Sequence, residues 1–238
     1  MNKKFIAILD SGLGGISVLK ELKTIMPNEN YLYFGDNENL PYGNKSKRKL
    51  LEITFNNINK LLKYEIKALV LGCNTLSTNI YFDIAPLFDF PIYCVFPPVE
   101  KCLINGEKTL LLSTKRTAEK YKNFNKLRVK ICNNLAKEIE ENKFCLNEFN
   151  LNFSGVNFGE YDSVILGCTH YFFIENKISD HQKPPRILRG EVYTAMRVFY
   201  DLQSGSIAKN NSKNQMIFFN DKNCQYERFW EKYFGFLK

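Results

Sequence analysis

The feature that most limits how this chain can fold is an apolar run ending in glycine and cysteine that occurs twice, as ALVLGCNT at 68–75 and SVILGCTHY at 163–171. Short apolar runs bounded by turn chemistry, without in–out alternation, read as strands buried on both faces of a parallel sheet. Parallel neighbours need a crossover between them, and the chain supplies helical ones. KFIAILD (4–10) is a strand, and GGISVLKELKTIMP (14–27) has the i, i+3, i+4 spacing of a helix that stops at Pro27. NYLYFGD (30–36) is a strand again, followed by an amphipathic helix over about 46–63, the strand ALVLG, a helix from LSTNI and the strand FPIYCV (90–95).

After residue 107 the pattern starts over. KTLLLSTKRTAEKYKNF repeats the strand, polar turn and helix of the N-terminus; RVKICN is a strand, LAKEIEENK a helix, and DSVILG the counterpart of ALVLG. Asp10 precedes Cys73 by 63 residues and Ser113 precedes Cys168 by 55, so the halves share their internal spacing. The expectation is an α/β fold of two pseudo-symmetric parallel-sheet domains with a site in the cleft between them. The first domain spans 1–96, completed by about 191–238, and the second spans 97–190. The tail, with a strand MIFFN and an aromatic helix CQYERFWEKYFGFL, is expected to pack back onto the first unit. Its face YERFWEKYFGF could serve a homodimer, but core packing is the expected use.

Composition closes off other classes. The chain is 45% apolar over 238 residues, with no run near the roughly 18 residues that span a bilayer. The start MNKKFIAILDSG runs from a basic tip straight into DSGLGG with no small-residue cleavage site, so it reads as a strand and not a signal peptide. Seven cysteines (73, 94, 102, 132, 145, 168 and 224) show no C-x-x-C spacing, which points to reduced thiols in a cytoplasmic protein. The net charge of +8 comes from dispersed lysines, with one short block, NKSKRKL at 44–50, read as a solvated helix start. Neither nucleic acid nor membrane is expected as a partner.

Ligands of open parallel sheets bind beyond the carboxyl ends of the strands. Those ends carry Asp10-Ser11-Gly12, Asp36, Cys73-Asn74-Thr75, Thr114 with Thr117, and Cys168-Thr169-His170. Hydroxyls, amides and helix N-terminal N–H groups there suit a carboxylate, and the same field is expected to lower the pKa of a thiol. An anion such as Asp10 beside Cys73 would act the other way. Two cysteines facing a cleft from opposite sides fit proton-transfer inversion of a stereocentre, with one thiolate removing a proton and the opposite thiol returning one. Taken singly, each is equally a buried strand cysteine. A single cysteine with a histidine would serve hydrolysis. The Rossmann spacing fails at Ser17, so the glycines of DSGLGG are expected to let backbone N–H groups approach a substrate carboxylate. With no pyridoxal phosphate lysine, metal cluster or nucleotide loop in the sequence, no cofactor and no metal are expected.

ILDSGLGGISVLKEL, YFGDNENLPYGNKS, LGCNT and LGCTHY, in that order, resemble the motifs of glutamate racemase, a cofactor-independent isomerase that supplies D-glutamate for peptidoglycan. The resemblance runs from residue 5 to about 200. It implies that Cys73 is the base for the D-enantiomer and Cys168 the base for the L-enantiomer, assisted by Asp10 and His170, with Asp36 as a further acidic residue near the first thiol. Glu140, in LAKEIEEN, falls where the family has a glutamate supporting the histidine; a solvated helical charge is the other reading. Ser11, Pro41, Tyr42, Gly43, Asn74, Thr75, Thr117 and Thr169 match the substrate shell, with Thr114 beside Thr117. Departures stand at Leu76, Phe172, Ser113 and Arg189, of which Leu76 and Arg189 are expected to narrow or recharge the pocket. Racemisation of another acidic amino acid such as aspartate, a non-catalytic amino-acid-binding role, and a hydrolase using Cys168 and His170 are the alternatives.

Overall fold

The computed structural model describes residues 4–148, 153, 155–179, 183–209, 214–219 and 225–237. One parallel sheet has the strand order β4 (Ile92–Cys94), β3 (Ile66–Leu71), β1 (Phe5–Asp10), β2 (Tyr31–Gly35), β9 (Met216–Phe219). The other, also parallel throughout, has the order β6 (Leu127–Ile131), β5 (Thr109–Ser113), β7 (Ser163–Gly167), β8 (Arg186–Arg189). Without β9 the two sheets have one connectivity: second strand, first, third, fourth. The registers also agree, since Ser113 lies opposite Gly167 while Leu9 lies opposite Leu71, which brings Asp10 beside Gly72. The two α/β halves therefore deliver Asp10 and Cys73, and Ser113 and Cys168, to equivalent strand ends.

The crossovers are α1 (Ile16–Ile25), α2 (Lys47–Leu61), α3 (Asn74–Ile84) and α4 (Val99–Ile104) in the first part of the chain, then α5 (Lys115–Tyr121), α6 (Leu135–Glu141) and α7 (Glu175–Ser179). α8 (Gly190–Gln203) returns to pack on α1, and α9 (Gln225–Phe234) closes the tail. α3 starts at Asn74, so Cys73 is the residue before its first turn. The helix expected from LSTNI therefore begins two residues earlier, at Asn74. β8 has no sequence signal, because RILR has four residues with an arginine at each end and no apolar run to mark it. Cys224 and Asn220, within the expected tail elements, lie outside the described residues.

One apolar cluster runs through both halves, joining Ile8, Leu22 and Val70 to Leu112, Ile139 and Leu166 by way of Val198 of α8 and Phe229 of α9. A second cluster fills the other face of the first sheet, and Leu76 is buried in it. Leu76 therefore belongs to the core, in the same cluster as Cys73 and Tyr42. α9 also departs from expectation. Tyr226 packs edge-on against Tyr33 of the first sheet, whereas Phe229 and Phe234 pack against Phe173 and Phe172 of the second half. The tail thus bridges the halves, with Tyr226, Phe229, Trp230 and Phe234 buried. The aromatic face considered for a homodimer is used in the core. Among the described residues no helix is long and apolar enough to cross a membrane.

The α1–α8 joint holds a buried polar group. Ser17 Oγ lies 3.0 Å from Glu191 Oε1, to which it donates, while Glu191 Oε2 is buried without a partner. Nearby, Arg189 is committed to Glu21 (3.7 Å), Glu175 (3.3 Å) and the Phe172 ring (4.7 Å to its centroid). That set of partners corrects the expectation that Arg189 recharges the pocket. Burial pushes the Glu191 carboxyl up to about 7 from its ordinary 4.5. The unfolded chain releases this proton first, so stability declines as pH rises from about 4.5 through 7, by roughly 3 kcal/mol at most. Glu191→Gln should therefore raise the melting temperature relative to the wild type at pH 8 and much less at pH 5, as thermal unfolding at the two pH values would show.

Candidate active site

The site is built where β1, β3 and β7 end. β1 ends in Asp10, whose carboxylate turns back to accept the N–H of Gly12 at 2.8 Å. Glycine is required in the turn that follows, because side chains arrive from three directions. A Cβ on Gly15 would lie 2.6 Å from that of Asp10. One on Gly14 would lie 2.5 Å from both His170 Nδ1 and Thr169 Oγ1, and one on Gly12 2.6 Å from Glu140 Oε2. Real Cβ atoms do not approach so closely, so Gly15 makes room for Asp10, and Gly12 and Gly14 make room for the second half of the protein. This differs from the expected use of the turn toward a substrate carboxylate: the N–H of Gly12 goes to Asp10, and that of Leu13 donates to Glu140 Oε2 at 2.7 Å.

β7 leads into Cys168 and a turn of 3-10 helix, Thr169–Ile174. His170 Nδ1 lies 3.8 Å from the Cys168 sulfur, and its Nε2 lies 2.9 Å from Glu140 Oε2. Thr169 Oγ1 donates to Asp10 Oδ2 at 3.3 Å, tying the two halves together. A continuous path thus runs from Cys168 through His170 and Glu140 to the backbone of the Asp10 turn. Glu140 is buried, as a solvated helical charge would not be. On the opposite strand end, Cys73 stands immediately before the first turn of α3, near the N–H groups of Thr75 and Leu76 but with no hydrogen bond to its side chain. Cys73 and Cys168 are only 5% and 6% exposed, so both are shielded from bulk water.

Burial dominates the electrostatics. It drives the Cys73 thiol well above its ordinary value, with the negative charges of Asp10 and Cys168 adding to the shift. The N–H groups of Leu76 and Thr75 act downward and lose. The expected lowering of this thiol by the helix end is therefore reversed, because removing a thiolate from water costs more than two N–H dipoles return. Burial also raises Asp10, against the pull of His170 and the N–H groups of Gly12 and Gly15. For His170 burial acts downward, yet its hydrogen bonds to Cys168 and Glu140, with their charges, hold the imidazole well above the usual histidine range.

Asp36 is placed beside this centre and is fully occupied. It accepts from Tyr42 Oη at 2.7 Å, Asn57 Nδ2 at 2.8 Å and Asn39 Nδ2 at 2.9 Å, so its work is to hold Tyr42 and the turn around it. The hydroxyls form a second group: Thr75 Oγ1 is 3.1 Å from Thr114 Oγ1, which is 3.2 Å from Thr117 Oγ1, and Gly43 abuts Thr114 so closely that a Cβ would fall 2.7 Å away. Pro41 precedes Tyr42 in the same turn, and Ser11 is buried next to Asp10. Asn74 donates to Val95 O at 2.9 Å and leaves its buried Oδ1 without a partner. Sequence reasoning missed Asn57, which lies one face along a helix far from any motif, and Leu13, whose contribution is a backbone N–H. The arrangement can move protons at two sulfurs that arise from opposite halves, each beside an ionisable group.

No protein-family model matches the chain. It is 33% identical over 241 residues to a glutamate racemase of Clostridium botulinum (strain Hall), with 93% of each chain covered. Its fold is similar to the crystal structure of a glutamate racemase from Bacillus anthracis, with TM-score 0.77 at 24% identity over 99% of this chain and 95% of that one. It is also similar to that of Escherichia coli glutamate racemase in complex with L-glutamate and the activator UDP-MurNAc-ala, with TM-score 0.76 at 22% identity over 95% of each chain.

The charge of the imidazole can be checked directly. His170 is expected to stay protonated through neutral pH in an NMR titration, and Glu140→Gln should bring its titration down, since burial would then be opposed by Cys168 alone. A folded pKa raised above the unfolded 6.5 stabilises the protein fully below that value, and the gain disappears as pH rises through the folded pKa.

Proposed function

The chain belongs to the glutamate racemase family, and from that premise we propose that it interconverts L- and D-glutamate by proton transfer between two opposed thiols, without a cofactor. The observation that carries the reading is the pair of Gly-Cys strand ends, one from each half, converging on the buried Asp10, His170 and Glu140. In the L-to-D direction Cys168, as thiolate, takes the α-proton, and the Cys73 thiol gives one to the opposite face of the same carbon. The raised pKa of Cys73 suits it to hold the proton it must donate. Each turnover leaves the proton on the other sulfur, and Asp10 and His170 are the adjacent groups through which the starting state returns.

The α-carbon of an amino acid is a weak acid, so the developing negative charge on its carboxylate needs fixed donors in a site closed to water. Ser11, Asn74, Thr75, Thr114, Thr117 and Thr169 supply hydroxyls and amides at the strand ends, while Pro41, Tyr42 and Gly43 form the wall that Asp36 braces. The Escherichia coli structure of this fold holds L-glutamate, which supports an acidic amino acid as the substrate. The product would serve peptidoglycan precursor synthesis in the cytoplasm.

Incubation in deuterated water with D- or L-glutamate, and separately with aspartate, tests this reading. The wild type should incorporate deuterium at the α-carbon and invert glutamate. Cys73→Ala and Cys168→Ala should each lower inversion by roughly 10²–10⁴-fold. Retained inversion in either variant would exclude the two-thiol mechanism, and exchange with aspartate alone would reassign the substrate.

A further inference from the structure

Resting on that function, the structure assigns a positioning role to a residue outside the motifs, Arg116, as the latch of the substrate mouth. A charged amino acid cannot reach thiols this deeply buried unless the halves part, so the seam between them must open along its weaker side. The two sides of the seam differ in kind. On one side α1, α8, α9 and the turn at 169–174 share a single apolar core, reinforced by the Leu13–Glu140 and Thr169–Asp10 hydrogen bonds. Separating it would expose buried leucines, isoleucines and aromatics to water, so it serves as the hinge.

The other side, where α3 and the turn Tyr42–Asn44 pack on α5, is polar: it includes the Thr75–Thr114 hydroxyl contact, the packing of Gly43 on Thr114, and a hydrogen bond from Arg116 Nε to Lys45 O at 3.1 Å. Water can replace each of these contacts at little cost. Arg116 is on α5 of the second half, whereas Lys45 ends the first-half turn that carries Pro41, Tyr42 and Gly43, with its own N–H returned to Tyr42 O at 3.0 Å. Glu119, one turn further along α5, holds Arg116 Nη1 at 2.9 Å and so aims the guanidinium across the seam. The planar fork can serve Glu119 and Lys45 at once; an ammonium in its place has no such fixed pair of donors. Arg116 thus fastens the wall that faces the substrate to the half that carries Cys168, and its release frees Tyr42 and Gly43 to swing out.

The test pairs two readouts. Steady-state kinetics on glutamate in both directions, and the rate at which iodoacetamide alkylates Cys73 and Cys168 in substrate-free protein, followed by peptide mass mapping, are measured for the wild type, Arg116→Ala, Arg116→Lys and Glu119→Gln. Arg116 and Glu119 are partly exposed, with side chains 29% and 44% accessible, so the variants are expected to fold, which circular dichroism would verify. Arg116→Ala should raise KM and the alkylation rate of both thiols by about tenfold with kcat changed far less. Arg116→Lys should recover part of the loss, and Glu119→Gln should shift both readouts in the same direction by roughly two- to threefold. Unchanged KM and alkylation in a folded Arg116→Ala variant would overturn the latch and leave the racemase reading intact. Absence of glutamate turnover in the wild type would overturn the racemase reading, while the alkylation rates would still decide the latch.

Discussion

Much of this structure depends on one carboxylate oxygen. Glu140 Oε2 accepts the Leu13 N–H from the first half and lies within hydrogen-bond distance of His170 in the second, at 2.7 and 2.9 Å. Because both contacts are buried, each is far stronger than it would be in water, and neither donor has solvent as a substitute. The same oxygen therefore joins the halves and, with Cys168, holds the imidazole above the usual histidine range. Gly12 and Gly14 are the steric condition for that arrangement, since any side chain at either position would occupy the space of Glu140 or His170.

The pseudo-symmetry is a symmetry of strands and not of chemistry. Register places Ser113 where the other half has Asp10, and the second residue after the cysteine is Thr75 in one half and His170 in the other. One sulfur consequently meets a buried carboxylate and two helix N–H groups, and the other meets an imidazolium. Under the proposed two-thiol mechanism, two faces of one carbon would be offered to unlike environments, one thiol holding a proton while its partner accepts one. Burial, not the helix end, sets the state of Cys73, as the larger of the two effects must.

The seam between the halves is graded in the same way. Apolar contact along α1, α8 and α9 is costly to open, and hydroxyl and backbone contacts near Thr114 and Lys45 are cheap. The proposed hinge and mouth rest on that difference. The tail contributes to the hinge, because α9 lies across both sheets with Phe229 against Phe173 and Tyr226 against Tyr33.

The sequence by itself determined the α/β class, the doubling and the strand ends that carry Asp10, Cys73, Cys168 and His170, since apolar run length, turn residues and spacing are local and survive in one dimension. β8, α8 and Asn57 were not legible, because a four-residue strand between arginines and a lone helical asparagine have no local signature. Only the tertiary structure decided that Glu140 joins His170 and that Gly12 and Gly14 of DSGLGG receive the other half of the protein. It also decided that Leu76 lies in the core, that Arg189 is held by Glu21 and Glu175, and that burial outweighs the helix end at Cys73. Each of these depends on what lies nearby in three dimensions and on how much water remains there, and residues distant in the chain decide both, as Glu140 does for Leu13.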